Sequence, residues 1–86
     1  MPRFIAIHTL PYTEEQFKEA TKKSPKPPAG LKWKQTYCDF NNHKFFCEWE
    51  GSNKETIEQF LKTINMPFDV VYPVRLFDVG KKKLEK

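Results

Sequence analysis

The chain has 86 residues, of which 38% are hydrophobic and 30% charged, and this globular composition excludes a disordered chain and disfavours a second domain. The formal net charge is +4, and four lysines less one glutamate place +3 of it in residues 81–86. We therefore expect one nearly neutral domain over residues 1–80 and a basic tail over 81–86. Because most of the positive charge lies in this short tail, we do not expect nucleic acid to be a partner.

We expect the N-terminal segment to be neither a membrane anchor nor a signal peptide. It turns polar at His8 and Thr9, well short of the roughly 20 apolar residues that cross a bilayer. It also lacks a small-residue cleavage site. We expect a cytoplasmic protein with no membrane partner, in which Cys38 and Cys47 are thiols.

The first quarter of the chain predicts a strand and a helix. Residues 3–10 are rich in Ile and Phe, and Pro11 ends this strand. Thr13 and Gln16 have the spacing of a capping box, which predicts a helix over 13–23. The prolines of segment 24–30 exclude a longer helix, because proline lacks the backbone N–H that a helix needs.

A β-hairpin should follow, with strands over 31–39 and 43–50 and a turn at Asn41 and Asn42. Centring the loop on these two residues fixes the register, because successive side chains point to opposite faces. One face is then expected to carry Cys38, Phe45, Cys47 and Trp49, and the other Trp33, Gln35, Tyr37, Phe46 and Glu48.

The last part of the chain predicts a second helix over 53–64 and a fourth strand over 69–78. Residues 52–55 have the form of another capping box, with Ser52 as its first residue, and an apolar face follows. Pro73 cannot donate a ladder hydrogen bond, so the fourth strand should lie at a sheet edge. The order β-α-β-β-α-β is the α+β ferredoxin-like arrangement, with two helices on one face of a four-stranded antiparallel sheet.

Two residues are candidates for a metal site. His8 ends a predicted central strand on the face opposite Ile5 and Ile7, and Cys47 is expected beneath the helices. Imidazole and thiolate are ligands of borderline and soft metals. The simpler interpretation is a satisfied core histidine and two buried thiols at Cys38 and Cys47, and both interpretations remain open.

The helices shield one face of such a sheet, and the other face should be apolar. We expect it to present Trp33, Tyr37 and Phe46, with Phe4 and Ala6 from the first strand. These aromatics would form a ligand platform or, as we prefer, the interface of a homodimer. Nucleic acid is disfavoured because the third strand lacks the signature of an RNA-binding sheet.

Several short motifs resemble a family of small bacterial ferredoxin-like proteins, some of which are described as nickel-binding. The resemblance lies in residues 1–4, 33–37, the Lys-x-x-Cys-x-aromatic segment at 44–49, 53–57, 66–67 and 71–74. It implies the ferredoxin-like fold, a dimer and a divalent metal such as nickel. The family often has His on the second helix where this chain has Phe60.

The function expected from the sequence is therefore a non-enzymatic, dimeric binding module for a metal ion or a small ligand. The alternative is a small dimeric enzyme of the monooxygenase or isomerase type, which rests on analogy of fold alone.

Overall fold

The predicted architecture is present in the computed structural model, which describes residues 2–85. Its main elements are β1 (Arg3–Thr9), α1 (Glu14–Lys22), β2 (Lys32–Asp39), β3 (Lys44–Glu50), α2 (Lys54–Thr63) and β4 (Val70–Val74). The four strands form an antiparallel sheet in the order β2-β3-β1-β4. This is an α+β fold of the ferredoxin-like kind, and Pro73 lies on the edge strand β4 as predicted.

Each helix begins at a side chain that caps its free backbone N–H groups. Thr13 forms the predicted capping box, since its hydroxyl accepts from the Gln16 N–H at 3.2 Å and its own N–H donates to the Gln16 side chain at 2.9 Å. The prediction of Ser52 as the second cap was wrong by one residue. The Asn53 side chain accepts from the Thr56 N–H at 2.9 Å, a role that amide oxygens fill well.

The hairpin of β2 and β3 has the predicted register at its turn end, where Tyr37 pairs with Phe46. Farther along, the register shifts between Trp33 and Gln35, so that Trp33 pairs with Trp49. The prediction that Trp33 shares a face with Tyr37 was therefore wrong. An irregularity of this kind inserts an extra residue and moves the preceding side chain to the other face, which strict alternation cannot anticipate.

The core lies between the helices and one face of the sheet, which we call the covered face. Placing Phe4 and Ala6 on the opposite face was wrong, because β1 pairs Phe4 with Trp49 and Ala6 with Cys47, and both are buried. The buried cluster consists of Phe4, Ala6, Leu31, Cys47, Trp49, Ile57, Leu61 and Val71. The other, open face includes the row of Val70, Ile7, Phe46 and Tyr37, one residue from each strand.

The end of the chain differs from the predicted single strand over 69–78. Strand β4 stops at Val74, and β5 (Phe77–Asp78) pairs instead with β6 (Lys83–Leu84) as a separate two-stranded sheet. Part of segment 81–86 is thus hairpin, and Glu85 approaches Arg3 at 3.8 Å. Met1 and Lys86 lie outside the described residues. No helix among residues 2–85 is long and apolar enough to span a bilayer.

Candidate functional site

A small cavity of about 30 Å³ lies between the covered face and the helices. Such a volume admits about one or two water molecules, or one ion. Residues of β1 and β3 form its floor, and α1, the proline-rich connection and α2 form its walls. The residues that matter for its chemistry are His8, Trp33, Cys47, Trp49, Phe60 and Met66.

Uneven helix packing leaves this space open. Helix α2 inserts Ile57 and Leu61, which are fully buried, whereas α1 has no fully buried residue. The main aromatic contact of α1 is made by Phe17, which stacks on Phe45 with ring centres 4.9 Å apart. The gap beside these rings is closed by residues of the connection such as Pro25 and Pro27.

His8 contributes a buried nitrogen with no partner. The residue is 1% exposed, and its Nδ1 lies 2.7 Å from the backbone oxygen of Pro67. Because a carbonyl oxygen only accepts, Nδ1 carries the proton and donates, and Nε2 keeps its lone pair. Nε2 is buried and finds no hydrogen-bond partner among the described residues.

The charge state of His8 follows from its surroundings. Burial lowers the pKa of the imidazole, and the Pro67 carbonyl and the Asp69 carboxylate oppose this shift only in part. The ring is therefore neutral at pH 7. A neutral imidazole whose other N–H is bonded to a backbone carbonyl is in the state that proteins use to bind metals. If nothing binds to it, a buried acceptor without a partner lowers the free energy of unfolding by about 1–3 kcal/mol.

Cys47 is the second polar group on the floor of the cavity. It is a free thiol, 6% exposed, as the alternation along β3 predicted. The Thr36 hydroxyl donates to Sγ at 3.1 Å, and the Trp33 Nε1–H donates to that hydroxyl at 2.8 Å. Burial raises the pKa of Cys47 to about 11, so the group is a protonated thiol at neutral pH.

His8 and Cys47 lie on the two central strands. His8 pairs with Phe45, and Cys47 is two residues farther along β3 on the same face, so the two side chains are diagonal neighbours. Trp49 Nε1, on the same strand as Cys47, is also buried and has no partner within residues 2–85.

The other candidate residues from the sequence are divided between two surfaces. Trp33 lines the cavity and stacks on Trp49, with ring centres 5.9 Å apart at an interplanar angle of 15°. Tyr37 and Phe46 form a cross-strand pair on the open face, where Tyr37 is 60% exposed. The expectation that Cys38 is buried was wrong, because it lies on edge strand β2 and is exposed.

Sequence reasoning missed two participants, Met66 and the Pro67 carbonyl. Both follow α2, where the sequence marks only the end of a helix. A backbone oxygen carries no sequence signal, and the fold alone brings it to His8. Phe60 also lines the cavity and lies edge-on to Trp49 at 5.9 Å.

These donors are too few for a conventional divalent-metal site. No group of three or more His, Cys, Asp and Glu residues that could hold a metal ion occurs in residues 2–85. Structural Zn²⁺ almost always takes four protein ligands. Among these four residue types the cavity offers only His8 and Cys47, and Phe60 stands where a further histidine would add a ligand.

Together, the fold and the cavity define a small ferredoxin-like α+β protein with a buried His and Cys pair. A family model described as nickel responsive protein SCO4226-like matches residues 4–74. The chain belongs to this SCO4226-like family. The matched region ends with β4, so the hairpin of β5 and β6 lies beyond it.

A solved structure has the same fold. The crystal structure of SCO4226 from Streptomyces coelicolor A3(2) superimposes with a TM-score of 0.68. The alignment covers 86% of this chain and 96% of that chain at 18% sequence identity, a likeness that shows the shared fold. No curated protein matches the chain.

Proposed function

We propose that this protein is a non-enzymatic binding module that holds a metal ion in the cavity, with His8 and Cys47 as ligands. The observation that supports the proposal is the unpartnered Nε2 of His8, which is buried, unprotonated and oriented by the Pro67 carbonyl. Membership of a family described as nickel responsive supports a transition metal.

The chemistry of Cys47 is compatible with this role. Its pKa of about 11 means that a metal must displace the thiol proton on binding. The hydroxyl of Thr36 already donates to Sγ, and this hydrogen bond stabilises the thiolate that results. Binding should therefore release a proton and weaken as the pH falls.

The volume of the cavity favours an ion over an organic ligand. Sites for drug-sized molecules occupy about 300–1,000 Å³, whereas this cavity measures about 30 Å³. The same argument disfavours the enzyme alternative, because an organic substrate would not fit without displacing side chains of the core.

The chain offers matched controls for a direct test. Reduced protein is dialysed against Ni²⁺, Zn²⁺ or Ag⁺, and bound metal per chain is measured by atomic emission. One of these ions should bind at one equivalent and be lost in His8→Gln and Cys47→Ser. The exposed His43 and Cys38 serve as controls, and His43→Gln and Cys38→Ser should retain the metal. Retention in the first pair of variants would contradict the proposal.

A homodimer through the open face is part of the same proposal. The apolar row of this face consists of Val70, Ile7, Phe46 and Tyr37. Ion pairs lie on both sides of the row, Lys44 with Asp69 at 3.8 Å and Arg3 with Glu48 at 2.6 Å. An apolar stripe bordered by charges of both signs can pair with a second copy of itself. A chain of this size also gains from burying additional surface.

Light scattering at micromolar concentration tests the dimer. The wild-type protein should have the mass of two chains, and Phe46→Lys should reduce it to one, because a charge would be buried in the interface. Val79→Lys places the same charge on an exposed residue beyond β5 and should leave the mass unchanged. A monomeric wild-type protein, or a dimer that tolerates Phe46→Lys, would contradict this interface.

A further inference from the structure

The cavity contains a third soft donor, which is neither a histidine, a cysteine nor a carboxylate. Met66 follows α2, packs against the core cluster and lines the cavity together with His8 and Cys47. Its thioether sulfur is a weak hydrogen-bond acceptor but a good ligand for soft metals. The three side chains supply one imidazole nitrogen and two sulfurs.

The charge of the cavity limits which ion it can hold. None of the residues that line it is Asp, Glu, Lys or Arg. A Cys47 thiolate would neutralise a monovalent ion, whereas a divalent ion would leave one uncompensated positive charge. Burying such a charge in an apolar site is strongly unfavourable.

Coordination number leads to the same conclusion. A divalent ion here would need water to complete its coordination shell, and a space of about 30 Å³ admits about one or two water molecules. Thiolate and thioether ligands suit both Cu(I) and Zn²⁺. Structural Zn²⁺ takes four protein ligands, whereas Cu(I) is satisfied by two or three, so the three donors of this cavity favour Cu(I). The stacked rings of Trp33 and Trp49 line the same cavity with apolar surface.

We infer that the cavity selects a soft monovalent ion of the Cu(I) class, bound by His8, Cys47 and Met66, over Ni²⁺ and Zn²⁺. The inference rests on the proposed function, since it uses the same site. It adds the identity of the ion and the role of Met66.

The test is an anaerobic competition titration of reduced protein with Cu(I) against a chromophoric Cu(I) chelator, with Ag⁺ as a redox-inert substitute. Ni²⁺ and Zn²⁺ are titrated in parallel. Cu(I) should bind at one equivalent and on the order of 100-fold more tightly than either divalent ion. Met66→Leu preserves the volume of the side chain and should weaken Cu(I) binding by about tenfold or more. Leu76→Ile, at an exposed residue outside the cavity, should not.

Each outcome has a distinct meaning. Ni²⁺ or Zn²⁺ binding as tightly as Cu(I), or unchanged Cu(I) affinity in Met66→Leu, would overturn the inference. In either case the proposed function stands, provided that binding still requires His8 and Cys47. If none of the four ions binds, both the inference and the proposed metal site are refuted. Retained secondary structure in each variant, measured by circular dichroism, excludes loss of binding through unfolding.

Discussion

Acidification should destabilise the protein through His8. The imidazole is buried in its neutral form, and burial holds its pKa below the ordinary value of 6.5. The same group in the unfolded chain titrates near its ordinary pKa. Below about pH 6.5 the unfolded state therefore binds a proton that the native state does not. The stability due to neutral His8 is complete above this pH and is lost as the pH falls towards the native-state pKa.

The magnitude follows from proton linkage. A difference of one bound proton changes the free energy of unfolding by about 1.4 kcal/mol per pH unit. Small domains have a total stability of about 5–15 kcal/mol, and a chain of 86 residues belongs near the lower end. One pH unit within this window therefore removes a substantial part of the stability. The Pro67 carbonyl and the Asp69 carboxylate both favour the protonated ring. They therefore narrow the pH range between the native-state pKa of His8 and its pKa in the unfolded chain.

Urea unfolding between about pH 8 and pH 5 measures the effect. The wild-type protein is compared with His8→Gln, and carboxylates common to both cancel in the difference. The difference in free energy of unfolding between the wild-type protein and His8→Gln should fall by up to about 1.4 kcal/mol per pH unit below about pH 6.5. Parallel profiles for the wild-type protein and His8→Gln would refute the buried neutral imidazole.

Two further predictions concern the thiols and the first helix. A thiol reagent under native conditions should modify exposed Cys38 and spare Cys47, because burial raises the pKa of Cys47 to about 11. Mass spectrometry follows the labelling of each thiol, and equal rates would contradict this prediction. Thr13→Ala should lower the free energy of unfolding by about 1 kcal/mol through loss of the capping box, while Thr13→Ser should cost little; equal losses in urea titrations would show that the cap is unimportant.

The elements and their order could be predicted because they depend on local chemistry. Prolines, capping residues and alternating side chains determine where strands and helices begin and end, and the hairpin register follows from the loop at Asn41 and Asn42. Alternation along β1 places His8 on the same face as Phe4 and Ala6, opposite Ile5 and Ile7. Because β1 is apolar on both faces, alternation alone did not show which face the helices cover.

The candidate site could be predicted only in part, because its assembly depends on long-range contacts. His8 and Cys47 were identified from residue type and position in the strands. The irregularity that moves Trp33 into the cavity lies in an edge strand and has no local signal. The Pro67 carbonyl is 59 residues from His8 along the chain, so its hydrogen bond requires the complete fold.

The nitrogen resonances of His8 test the account most directly. A long-range ¹H–¹⁵N correlation spectrum distinguishes a protonated ring nitrogen from an unprotonated one. In the free protein at pH 7, Nδ1 should be protonated and Nε2 unprotonated, and one equivalent of Ag⁺ should shift the Nε2 resonance of His8 but not those of exposed His43. A protonated Nε2 in the free protein, or Ag⁺ binding that leaves this resonance unchanged, would contradict a metal site at His8.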